Sequence, residues 1–483
     1  MPDISISKLR GKHPRFIYKH YSYKQDENDL LISYHFQIKP DLNFHPKIKL
    51  LNVYDDPSKQ NIDPNIIDKL VFSIGMVELL SYWKATISPE IEIQCYSLSE
   101  EELTFWNDLL LQGMGEFFFL NKIDFTVKDF VRITTTGNKP SFQSTSSRSR
   151  VKKVDASRYL IPIGGGKDSA VALNIIQQHF PVSCLVVKPS SPAANRIAKK
   201  SKCQETITIE RSLDPLLLDL NKKGYLNGHT PFSALLAFIS ILTSYIKNYQ
   251  YVLIANEASA NQENIRYKNR EINHQYSKSF DFEQKFNTYI KNYIFPDEES
   301  CSNKDGKSTN HPNYISILRP LHEIQIAKLF SKLHQYHQDF RSCNQGQKKD
   351  LWCEQCPKCL FVFIMLFPFI DKKTLTKQIF SRNLFENKKL LPLLKQLVQP
   401  DILKPFECVG TKEETQAALG MAIDYYQNKN ESLPILLQQV KPLLDKTLSH
   451  PDTTKRLLKS WNNKHLLPLH LEKLVRNAIY ESN

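Results

Sequence analysis

The sequence predicts an α/β chain: a parallel, doubly wound core over residues 151–370, with an α+β domain over 1–150 before it and a helical region over 371–483 after it. Three patterns lead there. Residues 15–55 alternate polar and apolar, as in Leu31–Ile38, which is how half-buried antiparallel strands read. From Tyr159 to Leu318, short β-branched runs alternate with helical periodicity, the mark of βαβ units with both sheet faces covered. Beyond Asp371 only helical spacing remains.

In order along the chain, the antiparallel strands are followed by helical spacing over Ile66–Trp83 and Glu101–Leu111. Gly137–Lys153 is polar, basic and Ser-rich, and reads as a linker. The core strands are then Tyr159–Ile163, Val182–Val187, Thr206–Ile209, Tyr251–Ala255 and Tyr314–Leu318. Asp168–His179 and the strongly apolar Leu235–Tyr245 supply helices between them. Phe295–Asn313 is charged and nearly free of apolar residues, so a mobile loop or lid is expected there. The C-terminal helices are Thr411–Tyr426, Leu433–Leu444 and Leu466–Ile479.

Bulk composition narrows the function classes. Of 483 residues 41% are hydrophobic, ample for more than one domain. Lys and Arg outnumber Asp and Glu by 64 to 50, which suits anionic partners. The basic residues are scattered and not interleaved with aromatics, so nucleic acid is not the favoured one. Met1–Phe16 has charges and no apolar segment, against a secretory signal. The longest apolar run, Cys359–Ile370, is too short to span a bilayer and contains Pro368. A soluble cytoplasmic protein with no membrane association is expected. Nine cysteines, with Cys353, Cys356 and Cys359 crowded together, point to metal or thiol chemistry rather than a disulfide framework.

The sharpest motif is Ile161-Pro162-Ile163-Gly164-Gly165-Gly166-Lys167-Asp168-Ser169. Here a strand runs through glycines into a helix. Glycines let backbone approach phosphate oxygens, and the free N–H groups and dipole of a helix start favour an anion. Lys167 offers a point charge, Ser169 a hydroxyl donor, and Asp168 a ligand for Mg²⁺ at a pyrophosphate. Asp168 after Lys167 rules out a Walker A loop, and the glycine spacing rules out the dinucleotide fingerprint. The motif resembles the PP-loop of ATP pyrophosphatases, Ser-Gly-Gly-x-Asp-Ser, with Gly164 in place of the first Ser. That resemblance implies an adenine nucleotide alpha hydrolase-like core. It also implies ATP cleaved between its α- and β-phosphates, and a substrate oxygen adenylated.

Cys343, Cys353, Cys356 and Cys359 match a structural zinc site, since thiolates at 2.3 Å satisfy a tetrahedral ion. Small buried hydrophobes opening an apolar helix, or redox thiols, are the other readings.

Further segments are Ala255–Asn261, Asn273–Ser279, Leu318–Glu323, Phe340–Asn344, Trp352–Cys359, Glu407–Thr411 and Gly115–Asn121. Together with Gly164–Ser169 they resemble the UDP-N-acetylmuramoyl-L-alanyl-L-glutamate epimerase family. The likeness implies a UDP-MurNAc-L-Ala-L-Glu substrate whose terminal glutamate is activated by adenylation and inverted. Activation has a purpose: beside a free carboxylate the α-proton is poorly acidic, whereas beside a mixed anhydride a protein base can take it. Asp168, His274 and Lys278 are then the catalytic candidates, with His274 either the base or a structural hydrogen-bonding residue. His274 and Lys278 lie one turn apart if their segment is helical. Cys408 and Cys343 are further thiol candidates, the latter only without zinc. Asn256 and Glu257, just past the fourth core strand, are assigned to the nucleotide; Glu257 would hold Mg²⁺ or ribose, or cap the next helix. Arg319 and Glu323 are placed beside the substrate, with Glu323 alternatively an early-turn carboxylate favoured by its helix. Rival readings are a 7-cyano-7-deazaguanine synthase-like enzyme, a tRNA-modifying PP-loop enzyme, and a nucleotide-binding regulatory protein.

Overall fold

A computed structural model describes residues 5–54, 62–137, 155–296, 311–444 and 450–482. Most of the linker expected over Gly137–Lys153 and of the loop expected over Phe295–Asn313 lies outside them.

Four antiparallel neighbours come first: β1 (Arg15–Asp26), β2 (Asp29–Ile38), β3 (Leu42–Phe44) and β4 (Lys47–Leu50). The two-residue period is explicit in β2, where every second residue is buried. β5 (Glu90–Ile93) lies parallel to β1, and β6 (Arg132–Thr135) parallel to β5. The next strands are β7 (Asp155–Pro162), β8 (Val182–Lys188), β9 (Thr206–Ser212) and β10 (Tyr249–Ile254). A small hairpin, β11 (Ile265–Tyr267) and β12 (Arg270–Ile272), precedes β13 (Asn313–Ser316). Each of the five expected core strands is present, as are helices Lys167–Gln177 and Phe232–Lys247.

Within the core the spatial order is β13-β10-β7-β8-β9, all parallel. Counted from β7, that is strand order 3-2-1-4-5, so the direction of winding reverses between β7 and β10. Ligands of such sheets bind outside the carboxyl ends of the strands at this reversal. Successive core residues face opposite sides. Leu160, Leu185, Val252 and Ile254 pack with helices Pro64–Glu78 and Phe232–Lys247. Ile161, Cys184, Val186 and Leu253 pack with helices Lys167–Gln177, Glu323–Ser331 and Pro357–Leu366. Both faces are dry, which is why these strands read as continuous apolar runs.

The first 150 residues, read as a domain of their own, continue this sheet. β4 pairs antiparallel with β9, Ile48 opposite Arg211 and Leu50 opposite Ile209, making one sheet of eleven strands. Phe16, Ile32, Phe36 and Ile48 also share a hydrophobic cluster with Leu160 and Phe238. A Leu→Ala change at Leu242, fully buried in helix Phe232–Lys247, would cost about 2–5 kcal/mol and loosen both parts together.

Past Asp371 the described residues contain helices and no strand, as expected. Thr411 and Glu414 form a reciprocal capping box at the start of Lys412–Asn428. No helix among the described residues is long and apolar enough to cross a membrane. One cysteine pair departs from the thiol reading. Cys184 in β8 and Cys203, just before β9, form a disulfide, because parallel pairing sets Cys184 opposite Thr206 and brings the approach to β9 alongside.

Candidate active site

The glycine loop leaves β7 at the winding reversal. Gly164 is open: a Cβ there would have nothing within 4 Å. Gly165 has φ +90°, and a Cβ would meet Ser191 Oγ at 2.6 Å and Ala194 N at 2.7 Å. Only glycine fits that position without strain. Gly166 is the N-cap of helix Lys167–Gln177 and supplies no side-chain cap, so the first N–H groups stay available to an anion. The loop is braced from behind by Arg341 N–H, which donates to Gly165 O at 2.8 Å.

Lys167 does not point out of the loop. It is fully buried and bridges the carboxylates of Asp168 and Glu323. The first helical residue, expected to face phosphate, here turns inward toward the start of helix Glu323–Ser331. Burial alone would lower the Lys167 ammonium, but the two carboxylates outweigh it and raise its pKa. Ser169 likewise turns back, its hydroxyl donating to Gly166 O at 3.0 Å. Asp168 keeps a quarter of its side chain exposed. Burial would raise its carboxyl, but Lys167, Lys358 and Lys278 hold it below the ordinary value. Glu323 is pushed up to about 7 by burial, with Asp168 and Glu257 adding to it.

Asn256 and Glu257 follow β10 at the same end of the sheet. Asn256 Nδ2 donates to Ser316 Oγ at 3.3 Å, and Ser259 Oγ donates to Glu257 Oε1 at 3.2 Å. Arg319 is sequestered. It is fully buried, paired with Glu283 at 3.0 Å, and bonded to Ser316 Oγ and to the carbonyls of Glu257 and Lys278. Its burial and these bonds tie together the segments that carry Glu257, Lys278 and Glu283.

His274 and Lys278 are brought to the pocket, but not by an α-helix. A 3₁₀ turn spans Tyr276–Lys278 and His274 lies in the turn before it. Asn264 settles the His274 tautomer. Asn264 Oδ1 accepts from the His274 backbone N–H at 3.0 Å, and Asn264 Nδ2 donates to Pro405 O at 3.3 Å. The amide is therefore oriented, and His274 Nδ1, 2.8 Å from Oδ1, must carry the proton. His274 Nε2 is left as a bare lone pair, buried and without a hydrogen-bond partner among the described residues. Burial, then Lys278 and His229, lower the His274 pKa to about 2, so the ring is neutral. Lys278 Nζ donates to Cys408 Sγ at 3.0 Å.

The structure adds residues that the sequence reading passed over. Glu116, from the short helix Gly115–Leu120, lies 3.4 Å from His229 Nδ1. The His229 and His274 rings are 6.5 Å apart. Burial and the charge of Glu407 raise Glu116 to about 7; burial, Lys278 and Lys84 lower His229 to about 4. Glu116 lies inside a segment that carried the family likeness, which was its one signal; His229, in a polar loop, had none.

Cys343, Cys353, Cys356 and Cys359 converge, with all four sulfurs within 4.8 Å of one another. Cys343–Cys356 and Cys353–Cys359 sulfur separations are 4.0 and 3.7 Å. A tetrahedral site with 2.3 Å bonds puts sulfurs about 3.8 Å apart, so the set fits zinc. Backbone N–H groups of Gly346 and Cys353 point at Cys343 Sγ, as a thiolate requires. Ser342, next to this cluster, stands over Gly166.

Residues 8–302 match the family model of the MurL N-terminal domain, and residues 339–452 that of the MurL C-terminal domain. The chain is 30% identical over 410 residues to a UDP-N-acetyl-alpha-D-muramoyl-L-alanyl-L-glutamate epimerase of Xanthomonas oryzae pv. oryzae, covering 83% of this chain and 84% of that protein. A protein of the same name from Salinispora tropica is 34% identical over 274 residues, 55% of this chain and 56% of its own length. One from a Micromonospora species is 29% identical over 374 residues, 74% of this chain and 77% of its own. No solved structure matches.

Proposed function

As the chain belongs to the MurL family, we propose that it inverts the terminal L-glutamate of UDP-N-acetylmuramoyl-L-alanyl-L-glutamate after adenylating that residue's α-carboxylate with ATP. The observation that carries this reading is that Lys278 acts electrostatically on both Asp168 of the loop and His274, which puts two unlike groups within reach of one cation. An open glycine loop with an uncapped helix start faces the winding reversal, and His274 Nε2 stands as a buried base without a hydrogen-bond partner among the described residues.

In the first step a carboxylate oxygen of the substrate attacks the α-phosphorus of ATP, and diphosphate leaves with the electrons of the broken P–O bond. Loop N–H groups hold the departing phosphates. Asp168 and Glu257 are the carboxylates that would hold Mg²⁺, which neutralises phosphate charge when bound. The acyl group of the mixed anhydride can now accept an electron pair from the α-carbon. With the anionic ATP and substrate offsetting the neighbouring lysines that, after burial, depress its basicity, His274 Nε2 removes the α-proton, and the Lys278 ammonium lowers the energy of the resulting oxyanion. A proton delivered to the opposite face sets the D configuration. Water then cleaves the anhydride to release AMP and the D-glutamyl product. Cys343, Cys353, Cys356 and Cys359 would hold a structural zinc ion that staples the Ser342 segment behind the loop.

The test is incubation with ATP, Mg²⁺ and UDP-MurNAc-L-Ala-L-Glu. D-Glutamate, AMP and diphosphate are expected, with deuterium at the glutamate α-carbon when the solvent is D₂O. Absence of D-glutamate overturns the epimerase reading and ADP in place of AMP overturns the adenylation step; D-glutamate is the product that separates this reading from amide formation or RNA modification, which would release AMP without it.

A further inference from the structure

Adenylation consumes only the α-carboxylate of the proposed glutamyl substrate. The γ-carboxylate stays an anion throughout, and an anion taken out of water needs a fixed cation. Two cations near the loop are already paired with carboxylates. Arg319 is held by Glu283 and carbonyl oxygens, and Lys167 by Asp168 and Glu323. Lys358 donates to Cys408 O and Lys278 to Cys408 Sγ.

Lys404, like Lys278 and Lys358, has a neutral acceptor and no ion pair among the described residues; what sets it apart is its chain neighbours, Pro405 and Phe406, which lie against Asn264 and the His274 ring. Lys404 is 5% exposed, yet its hydrogen bond is to a neutral amide, Gln262 Oε1, at 3.3 Å. Among the described residues no carboxylate forms an ion pair with it. Burial lowers its pKa, and Glu414, Glu257 and Cys408, acting from farther off, do not make up for it. Glu414 already accepts from the backbone N–H groups of Glu323 and Thr411, and Glu257 from Ser259. A buried ammonium with one neutral acceptor is costly, and such a group persists where an anion completes it.

The second unsatisfied group is beside it. His274 Nε2 is buried without a hydrogen-bond partner among the described residues, and the Asn264 amide ties His274 to Pro405, the neighbour of Lys404. The Phe406 ring packs 6.2 Å from the His274 ring, and Lys404 is close enough to His274 to disfavour its protonation. One ligand would satisfy both groups if it offered a carboxylate and, two methylenes away, a hydrogen to be abstracted. Glutamate is such a ligand.

We infer that Lys404 receives the γ-carboxylate of the substrate's terminal glutamate and so sets its α-carbon against His274 Nε2. The inference rests on the glutamyl substrate proposed above. It makes Lys404 a specificity residue: it separates glutamate from glutamine, whose γ-amide brings no charge.

The test uses the full-length protein with two substrates, UDP-MurNAc-L-Ala-L-Glu and its terminal L-Gln counterpart, reading AMP formation and product chirality. Wild type should prefer glutamate by about 1000-fold in kcat/KM, because the γ-amide leaves the ammonium unpaired. In Lys404→Gln, KM for the glutamate substrate should rise about 100-fold, the preference should shrink to about tenfold or less, and KM for ATP should stay put. Lys404→Met, apolar and of similar length, is the second variant should Lys404→Gln fail to fold; Lys404→Arg should keep the preference. Equal loss on both substrates in a folded variant, or a wild type that accepts glutamine as readily, overturns the assignment. A wild type that makes neither AMP nor D-glutamate overturns the underlying reading and this inference with it.

Discussion

The loop side of the site has its charges matched, whereas the wall that carries His274 and Lys404 does not. On the loop side, Lys167, Asp168 and Glu323 close an internal ion-pair cluster, with the N–H groups of a helix start beside it. Along the wall, Glu116, His229, His274 and Lys404 arrive from both ends of the chain. There, among the described residues, a lone pair has no donor and a lysine has no carboxylate partner. A preorganised half can stabilise charge with no rearrangement at the moment of reaction. An unsatisfied half gains most when a ligand completes it, and so is where specificity resides.

The largest test of that division is Asp168→Ala. On the loop side it should reduce AMP formation about 10⁴-fold, since positioning and charge stabilisation are most of what phosphoryl chemistry asks of a protein. Circular dichroism should be unchanged, because Lys167 keeps Glu323 as a partner. Retained turnover would mean that the loop does not act through Asp168.

Next in size is Cys356→Ser. Serine can still cap the helix as Cys356 does, by accepting from Cys359 N, so the change isolates the metal ligand. Bound zinc, read by elemental analysis, should fall to background, with stability lost on the order of 5 kcal/mol. Any surviving activity should show a raised KM for ATP before one for the dipeptide, because Ser342 and Arg341 lie against the loop. A metal-free wild type removes the staple from this picture.

His274→Gln probes the wall. Inversion and α-deuteration should fall about 10³-fold, while AMP should still form, so that activation runs on without exchange. Equal loss of AMP would join the two halves and end the comparison.

The same contrast explains what could be read from sequence. Gly164–Ser169 is legible because its geometry is local: a strand end, glycines and a helix start. The core strands are legible because burial on both faces leaves unbroken apolar runs. The β4–β9 pairing that merges the N-terminal strands with the core is not, since periodicity carries no partner information. Side-chain direction was equally hidden. Lys167 looks like a phosphate ligand until the helix turns it toward Glu323, and Arg319 like a substrate ligand until Glu283 claims it. Lys404 and His229 sit in loops, where only the tertiary fold decides what they face.

The smallest expected effect concerns Glu116, and it tests whether the wall is as dry as described. Burial raises its carboxyl from 4.5 to about 7. The folded protein therefore keeps this proton up to about pH 7, while the unfolded chain loses it near 4.5. Between those values the folded state binds more protons, so this group favours folding below the window and costs stability as pH rises through it. Glutamine has no proton to lose. Glu116→Gln should match wild type in urea denaturation at pH 4.5 and exceed it by about 2 kcal/mol at pH 8. Inversion, but not AMP formation, should weaken, because Glu116 supports His229 on the wall and touches nothing in the loop. Parallel pH profiles for the two proteins would mean that water reaches Glu116. The wall would then be open on its N-terminal side, and its lysines and imidazoles would hold a ligand less tightly than their burial implies.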